Sequence, residues 1–240
     1  MLDKFSNMAL VSGIYLSDQE NNIEHIVDQF NMSSKWNVRQ KWAAIGNLPP
    51  SQAVKKVTDL NIENGQPKFV LINKMLGEEV LHNYDFVIIC DDDITLPSNF
   101  LDTYLDLVLK NDFALAQPAR THNSFIDWHF VEQLEGLKAR RTYFVEIGPL
   151  LSMRRDIFSA LLPFDESSSM GWGYDFVWPH VIEKMGLRMG IVDATPVEHS
   201  MRRPVRNYNY EDARKGMEHY LSRNLHLSKS EAFRILESYA

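Results

Sequence analysis

Hydrophobic residues follow two patterns along the first 120 residues. Continuous apolar runs at Met8–Leu16 and Phe86–Cys90 are typical of strands, and the second run, with no charged residue, is typical of a strand covered on both faces. Between such runs, apolar residues recur at helical spacing, as in the set Ile23, Ile26, Val27 and Phe30. This alternation predicts an α/β fold with a mostly parallel central sheet flanked by helices.

The pattern is less regular after residue 120. The segment 144–153 predicts a strand, the segment 176–185 a helix and the segment 188–193 another strand. Ser228 and Glu231 have the spacing of a capping box and predict a second helix in the last 40 residues. No repeat, low-complexity tract or Gly/Ser-rich linker marks a boundary, so we expect one domain.

The net charge of the chain argues against a nucleic-acid partner. The chain has 25 Lys and Arg against 32 Asp and Glu, a net charge of −7. Nucleic-acid-binding proteins usually carry a basic surplus, so we expect no nucleic-acid partner. Residues 200–240 instead hold eight basic and five acidic side chains. This basic tail predicts an anionic ligand or peripheral contact with a membrane surface, although solvated helix faces would have the same composition.

Location is predicted from what the sequence lacks. No apolar run approaches the ~18 residues that span a bilayer, and the first residues do not have the basic-then-apolar layout of a signal peptide. We therefore expect a cytoplasmic protein, with the inner face of the membrane as the place of any contact through the tail. Cys90 is the single cysteine, which rules out an intrachain disulfide and a cysteine-based metal cluster.

Three consecutive acids, Asp91, Asp92 and Asp93, follow the apolar run Phe86–Cys90 directly. Ligands of open α/β sheets bind outside the carboxyl ends of the strands, and adjacent carboxylates there repel one another unless cations neutralise them. Oxygen ligands suit Mg²⁺ or Mn²⁺, which often bridges carboxylates to substrate phosphates. The alternative is a surface turn whose aspartates cap the helix after Pro97.

The segment YDFVIICDDDITLP resembles the strand and DxD motif of GT-A glycosyltransferases, the nucleotide-diphospho-sugar transferases, in their family-2-like branch. KFVLINKML is similar to the helix that precedes this motif in that branch. GPLLSMRRDIFSALLPFDESSSMGWGYDF resembles the branch's later strand, arginine turn and Trp-Gly-(Glu)-Asp motif. The resemblance covers residues 8–200 in order. It implies a GT-A-like catalytic domain at residues 1–200, and we assign residues 201–240 to a helical basic extension packed on that domain.

The resemblance also implies an activity. The chain would be a hexosyltransferase-like enzyme that uses Mn²⁺ or Mg²⁺ and moves a sugar from a nucleotide-diphospho-sugar donor to a glycan or glycolipid acceptor. The acceptor would be a surface polysaccharide, lipopolysaccharide or lipid-linked glycan. The transfer would invert the anomeric configuration.

Residue roles follow by position. Asp91 and Asp93 match the acids that hold the metal against the donor diphosphate, and His199 matches a third metal ligand of several members. Asp175 matches the base that deprotonates the acceptor hydroxyl in inverting members. Candidate donor contacts are Asp91, Asp92, Lys68, Arg202 and Arg203, and candidate acceptor contacts are Trp172, Gly173, Tyr174 and Glu146.

Physical chemistry supports the same roles and leaves simpler ones open. A bound cation stabilises the leaving diphosphate, and a carboxylate opposite it can accept the hydroxyl proton. The position of Asp175 at a helix start predicts a lowered pKa, and the alternative role is a helix cap. Tyr174 departs from the family pattern, since many relatives have Glu there, and this puts that Glu's acceptor contacts in doubt.

Two other function classes stay open. Residues 91–95 also fit the DxDxT motif of haloacid-dehalogenase-like phosphatases, in which the first Asp attacks phosphate. That family needs a late acidic pair near its metal, which we do not find, and about 90 residues before the motif are unusual for it. The third class is a non-catalytic protein that binds nucleotide-sugars. Turnover of a nucleotide-sugar would distinguish the transferase from the phosphatase and from the non-catalytic binding protein.

Overall fold

The computed structural model describes residues 6–63, 65–202 and 209–240. The strands of these residues are β1 Met8–Leu16, β2 Asn37–Ile45, β3 Thr58–Ile62, β4 Phe86–Cys90, β5 Phe113–Arg120, β6 Ala139–Thr142, β7 Leu150–Arg154, β8 Arg188–Val197 and β9 Ile235–Tyr239. The α-helices are α1 Ile23–Asn31, α2 Gln52–Lys55, α3 Lys68–Gly77, α4 Phe100–Lys110, α5 Phe158–Leu161, α6 Tyr174–Lys184, α7 Tyr210–Arg223 and α8 Lys229–Ala232.

The strands form one mixed sheet in the order β3-β2-β1-β4-β7-β5-β8-β6-β9. β1 pairs in parallel with β2 and β4, β2 with β3, and β5 with β8, whereas the pairings of β7 and β6 are antiparallel. The α/β class is thus confirmed, but the prediction of a mostly parallel sheet is wrong. Between β5 and β7 the chain contains β6 but no α-helix, and antiparallel strands need no crossover helix.

Helices cover both faces of the sheet and build two large apolar clusters. α1 and α4 pack on one face, and α3 and α6 pack on the other. β4 lies between the two layers, so Phe86, Ile88 and Cys90 enter one cluster while Val87 and Ile89 enter the other. Burial on both faces explains the unbroken apolar run of β4. The strand thus delivers the polar residues that follow it to a defined edge.

The end of the chain packs against this core but is not wholly helical. α8 begins with the predicted capping box of Ser228 and Glu231. Residues 235–239 then form β9, which pairs antiparallel with β6 at the sheet edge. The prediction of a helical extension is therefore wrong for this strand. In the part of the chain that the structure describes, no helix is both long and apolar enough to cross a membrane.

Candidate functional site

The three acids lie where the parallel strands β1 and β4 end at the same sheet edge. Asp91 N donates to the Pro149 carbonyl at 2.7 Å, and Leu16 N donates to Asp92 Oδ2 at 2.7 Å. Asp92 and Asp93 are buried, while Asp91 is half-buried. Each of the three carboxylates is in contact with at least one basic side chain.

Asp91 is paired with Lys68, the first residue of α3. Lys68 Nζ lies 2.5 Å from Asp91 Oδ1, so the predicted donor contact and the first acid meet directly. Gly148, shortly before β7, lies beside the other carboxylate oxygen. A Cβ at that glycine would lie 3.1 Å from Asp91 Oδ2 and 3.6 Å from Lys68 Nζ. Gly148 thus leaves a narrow space next to the pair.

Asp92 is paired with Arg202. Arg202 Nη2 donates to Asp92 Oδ1, and Arg202 Nη1 donates to the Glu20 carbonyl at 2.7 Å. Burial raises the pKa of Asp92 to about 6, although the hydrogen bond and charge of Arg202 act in the opposite direction. The Arg202 guanidinium also lies close to Asp93, with its Nε 3.3 Å from Asp93 Oδ2. Arg203, the neighbouring predicted donor contact, lies outside the described residues.

Asp93 contacts His199, which follows β8. His199 Nε2 lies 3.1 Å from Asp93 Oδ1. Burial alone would raise the pKa of Asp93, but the hydrogen bond from His199 and the positive charge of Arg202 bring it below its ordinary value. Two of the three predicted metal ligands are therefore direct neighbours.

Arg120, at the end of β5, contacts the ring nitrogen of His199 that does not face Asp93. Its Nη1 lies 3.0 Å from His199 Nδ1, and its Nη2 donates at 2.6 Å both to Glu146 Oε2 and to the Gly148 carbonyl. Burial raises the pKa of Glu146, with the charge of Arg120 acting against that rise. Arg120 was not among the site residues predicted from the sequence. The sequence feature that could have identified it is the arginine that ends the otherwise uncharged segment FALAQPAR. The structure buries every residue of this strand, and a buried charge requires partners.

Asp175 lies in the first turn of α6 and is 5% exposed. Its Oδ1 atom is buried without a hydrogen-bond partner among the described residues. Burial, and then the charge of Glu146, raise the pKa of Asp175 to about 8, while backbone hydrogen bonds lower it. The expected lowering by the helix N-terminus is therefore outweighed by desolvation. A base with a pKa near neutrality is well suited to accept and return protons.

Three of the four predicted acceptor contacts, Trp172, Gly173 and Tyr174, come directly before Asp175. Trp172 is half-buried and meets Tyr210 edge-on, with ring centroids 4.9 Å apart. Gly173 has a φ of 94°, and a Cβ there would lie 3.2 Å from Met217 of α7. α7 therefore covers this glycine, so it is not an open contact for an acceptor.

Tyr174, the third of these residues, is buried. It is 1% exposed, and its hydroxyl donates to the Asp165 carbonyl at 2.5 Å. Its ring packs in an aromatic group with Phe69, Phe164, Trp178 and Tyr220. The side chain of Tyr174 is therefore part of the core, and its role as a substrate contact stays a prediction.

The donor set determines which metal chemistry the site could support. Among the described residues, no group of three or more His, Cys, Asp or Glu side chains is arranged to hold a metal ion. Asp93 and His199 nevertheless place a carboxylate and an imidazole side by side. Mg²⁺ and Mn²⁺ are often held by one or two protein groups together with substrate phosphates. The residues fit a divalent ion of that kind, which would be completed by the donor.

Comparison with known proteins gives the fold. No protein-family model and no curated protein sequence matches the chain. Its structure is similar to that of GalNAc-T7 solved with UDP, GalNAc and Mn²⁺, with a TM-score of 0.56 and 10% identity over 85% of this chain and 44% of that one. It is also similar to S. aureus TarS 1–349, with a TM-score of 0.51 and 10% identity over 80% of this chain and 59% of that one.

The chain thus spans about half the length of these solved structures. Both are GT-A glycosyltransferases, and the likeness shows that this chain shares their fold, a mixed α/β sheet with helices on both faces.

Proposed function

We propose that this chain is a glycosyltransferase that moves a sugar from a nucleotide-diphospho-sugar to a hydroxyl group of a glycan or glycolipid. One observation carries the proposal: on a GT-A fold, the carboxyl edge of the sheet gathers three acids, each in contact with a basic side chain. The basic side chains at this edge can bind a diphosphate, because each can replace its ion pair with an aspartate by an ion pair with a phosphate oxygen.

On the donor side, we assign Lys68 and Arg202 to the diphosphate and Asp93 and His199 to a divalent cation. When bound, Mn²⁺ or Mg²⁺ would neutralise charge on the leaving diphosphate as a Lewis acid. UDP and Mn²⁺ in the GalNAc-T7 structure support this choice of ligands. Asp91 and Asp92 keep Lys68 and Arg202 at the site before a donor arrives.

On the acceptor side, we assign Asp175 as the general base. Its Oδ1 has no hydrogen-bond partner among the described residues, and burial raises its pKa to about 8. A single base that removes the hydroxyl proton during direct displacement gives inversion at the anomeric carbon. Trp172 and Tyr210 supply an aromatic wall for an acceptor sugar. The basic tail is proposed to hold the enzyme near anionic lipid headgroups.

The first test is thermal unfolding with UDP, with and without Mn²⁺. A ligand that binds the folded state raises the midpoint, so we expect a rise with UDP and a larger rise with UDP and Mn²⁺. Asp93→Asn should lose the increment due to Mn²⁺, whereas Asp28→Asn, an exposed change on α1, should keep it. Equal midpoints under all conditions would contradict the proposal.

The second test separates the three function classes. UDP-sugars and GDP-sugars are offered with Mn²⁺, and nucleoside diphosphate release is followed with a glycan acceptor. Release that depends on the acceptor supports a transferase. Phosphate release from simple phosphomonoesters would instead favour the phosphatase, and nucleotide-sugar binding without turnover would favour the binding protein.

A further inference from the structure

His199 has both ring nitrogens engaged by side chains of opposite character. Its Nδ1 faces Arg120 Nη1 at 3.0 Å, and its Nε2 faces Asp93 Oδ1 at 3.1 Å. A guanidinium can only donate hydrogen bonds, so Nδ1 must accept. A carboxylate at Asp93 accepts, so Nε2 must carry the hydrogen. The contacts therefore place the ring hydrogen on Nε2 and the lone pair on Nδ1.

This tautomer is the wrong one for binding a cation beside Asp93. A metal ligand needs a free lone pair, and the nitrogen that faces Asp93 carries a hydrogen instead. The lone pair of the ring lies on Nδ1, where Arg120 covers it. We infer that Arg120 holds His199 in the Nε2–H tautomer and thereby weakens cation binding, so that the site takes a cation only when Arg120 releases Nδ1.

The surroundings of Arg120 allow such a release. Its Nη2 is anchored separately by Glu146 Oε2 and the Gly148 carbonyl, both at 2.6 Å. The Nη1 contact can therefore break while the guanidinium stays bound. Arg120 Nε is buried without a hydrogen-bond partner among the described residues. A small rotation of the guanidinium that breaks the Nη1 contact could therefore give Nε a partner that it now lacks. In the exchange, Nε2 releases its hydrogen to water and Nδ1 takes one from water, so the ring carries one hydrogen before and after.

Arg120 is thus a positioning residue that acts through His199. Partners that orient a metal-binding histidine usually present an acceptor to its second nitrogen, which leaves the first nitrogen free for the metal. Here the second nitrogen meets a donor, which has the opposite effect. The inference rests on the proposed role of Asp93 and His199, but the tautomer itself can be measured without any metal.

The first measurement is ¹⁵N NMR of the metal-free full chain labelled at histidine, with the His199 signals identified from their loss in His199→Asn. We expect an unprotonated Nδ1 and a protonated Nε2. A protonated Nδ1 in the wild-type protein would overturn the inference, whatever the variants do.

The second measurement is the Mn²⁺ affinity of the wild-type protein and of two Arg120 variants, by calorimetry in the presence of saturating UDP. Arg120→Gln offers a carbonyl that can accept a hydrogen bond from Nδ1–H, so it should shift His199 toward the other tautomer and tighten Mn²⁺ binding by about tenfold or more. Arg120→Lys is the matched control. It keeps a positive, donor-only partner, so it should keep both the wild-type tautomer and the weak affinity.

The outcomes separate this inference from the proposed function. Equal Mn²⁺ affinity in the wild-type protein and Arg120→Gln would overturn the inference and leave the metal assignment intact. An absence of Mn²⁺ binding in all three proteins would overturn both the inference and the metal assignment, while UDP binding without metal would leave the assigned diphosphate contacts of Lys68 and Arg202 in place. Circular dichroism checks folding, and the wild-type NMR result stands if Arg120→Gln does not fold.

Discussion

Lys68 Nζ lies 2.5 Å from Asp91 Oδ1 in a partly buried ion pair. The two residues come from different elements, since Lys68 begins α3 and Asp91 follows β4. The pair brings the start of a helix and the end of a strand to one point at the sheet edge. A basic group that is held in place before a ligand arrives loses little side-chain freedom when that ligand binds.

Removing the Lys68 charge should weaken nucleotide binding. Lys68→Gln leaves Asp91 without its cation and takes one charge-assisted contact from the diphosphate, so we expect a loss of UDP affinity of about tenfold or more. Calorimetry with UDP, with and without Mn²⁺, measures it. Lys74→Gln is the control, because Lys74 is exposed on the same helix. Similar affinities in the two variants would remove Lys68 from the donor site.

A substitution at Gly148 provides a second test of the proposed nucleotide contacts beside Lys68 and Asp91. Its Cβ would lie 3.1 Å from Asp91 Oδ2, which is tighter than most Cβ contacts, so Gly148→Ala must move the carboxylate or the strand end slightly. We expect UDP affinity to fall several-fold, while the free energy of unfolding changes by about 1 kcal/mol or less. Calorimetry and urea unfolding measure the two effects.

Gly77→Ala is the matched control for that change. A Cβ at Gly77 meets nothing within 4 Å, and alanine favours the helix, so stability should stay equal or rise and UDP affinity should not change. Wild-type UDP affinity in Gly148→Ala would show that the space beside Asp91 plays no part in nucleotide binding.

The sequence predicted the parts of the fold that depend on local patterns. β4 and α1 were found because an unbroken apolar run and a helical apolar spacing depend on neighbouring residues. β9 was missed because its pairing with β6 joins residues about 100 positions apart, and its own burial pattern is weak. The mixed sheet was missed for the same reason, since strand direction depends on long-range connections.

In the candidate site, too, local features could be predicted from the sequence and long-range contacts could not. Asp91 and Asp93 could be selected from their position after an apolar strand, but their partners could not be deduced. Arg120 meets His199 across 79 positions of the chain, and no local motif marks that contact. The pKa of Asp175 was predicted in the wrong direction because the sequence does not show that this carboxyl is buried and close to Glu146.

Tyr174 should prove structural. Tyr174→Phe keeps the aromatic packing but loses the hydrogen bond from its hydroxyl to the Asp165 carbonyl, so we expect about 1 kcal/mol less stability and unchanged transfer kinetics. Trp172→Leu, in the same turn, should instead raise the acceptor KM. Urea unfolding and initial rates test both changes. A higher acceptor KM in Tyr174→Phe would instead support Tyr174 as a substrate contact.

The raised pKa of Asp175 makes stability depend on pH. The folded protein keeps this proton up to about pH 8, whereas the unfolded chain releases it near pH 4, so unfolding releases a proton between these values. The contribution of this group to stability therefore falls as pH rises from about 4 to about 8, by at most about 1.4 kcal/mol per pH unit. Asp175→Asn lacks the effect, so its stability relative to the wild-type protein should increase over that range.

Urea unfolding of both proteins at pH 5, 6, 7 and 8 measures this difference. Other titrating groups, such as Asp92, are common to the two proteins, so their effects largely cancel. A stability difference that stays constant with pH would show that Asp175 is ionised in the folded protein throughout.

The last prediction concerns the same carboxyl as a base. Only the ionised form of Asp175 can accept the acceptor's proton, so kcat/KM should rise with pH and level off above about pH 8. Asp175→Asn should bind UDP as the wild-type protein does, while transfer falls by roughly 10²–10⁴-fold and the rise with pH disappears. Initial rates from pH 6 to 9, with the anomeric configuration of the product determined by NMR, measure each of these effects.

Glu183→Gln, a change at the far end of α6, serves as the control and should keep the wild-type profile. A profile that is flat through pH 8 in the wild-type protein, or near-normal transfer by Asp175→Asn, would exclude Asp175 as the base. Retention of the anomeric configuration would exclude the inverting mechanism but not the transferase.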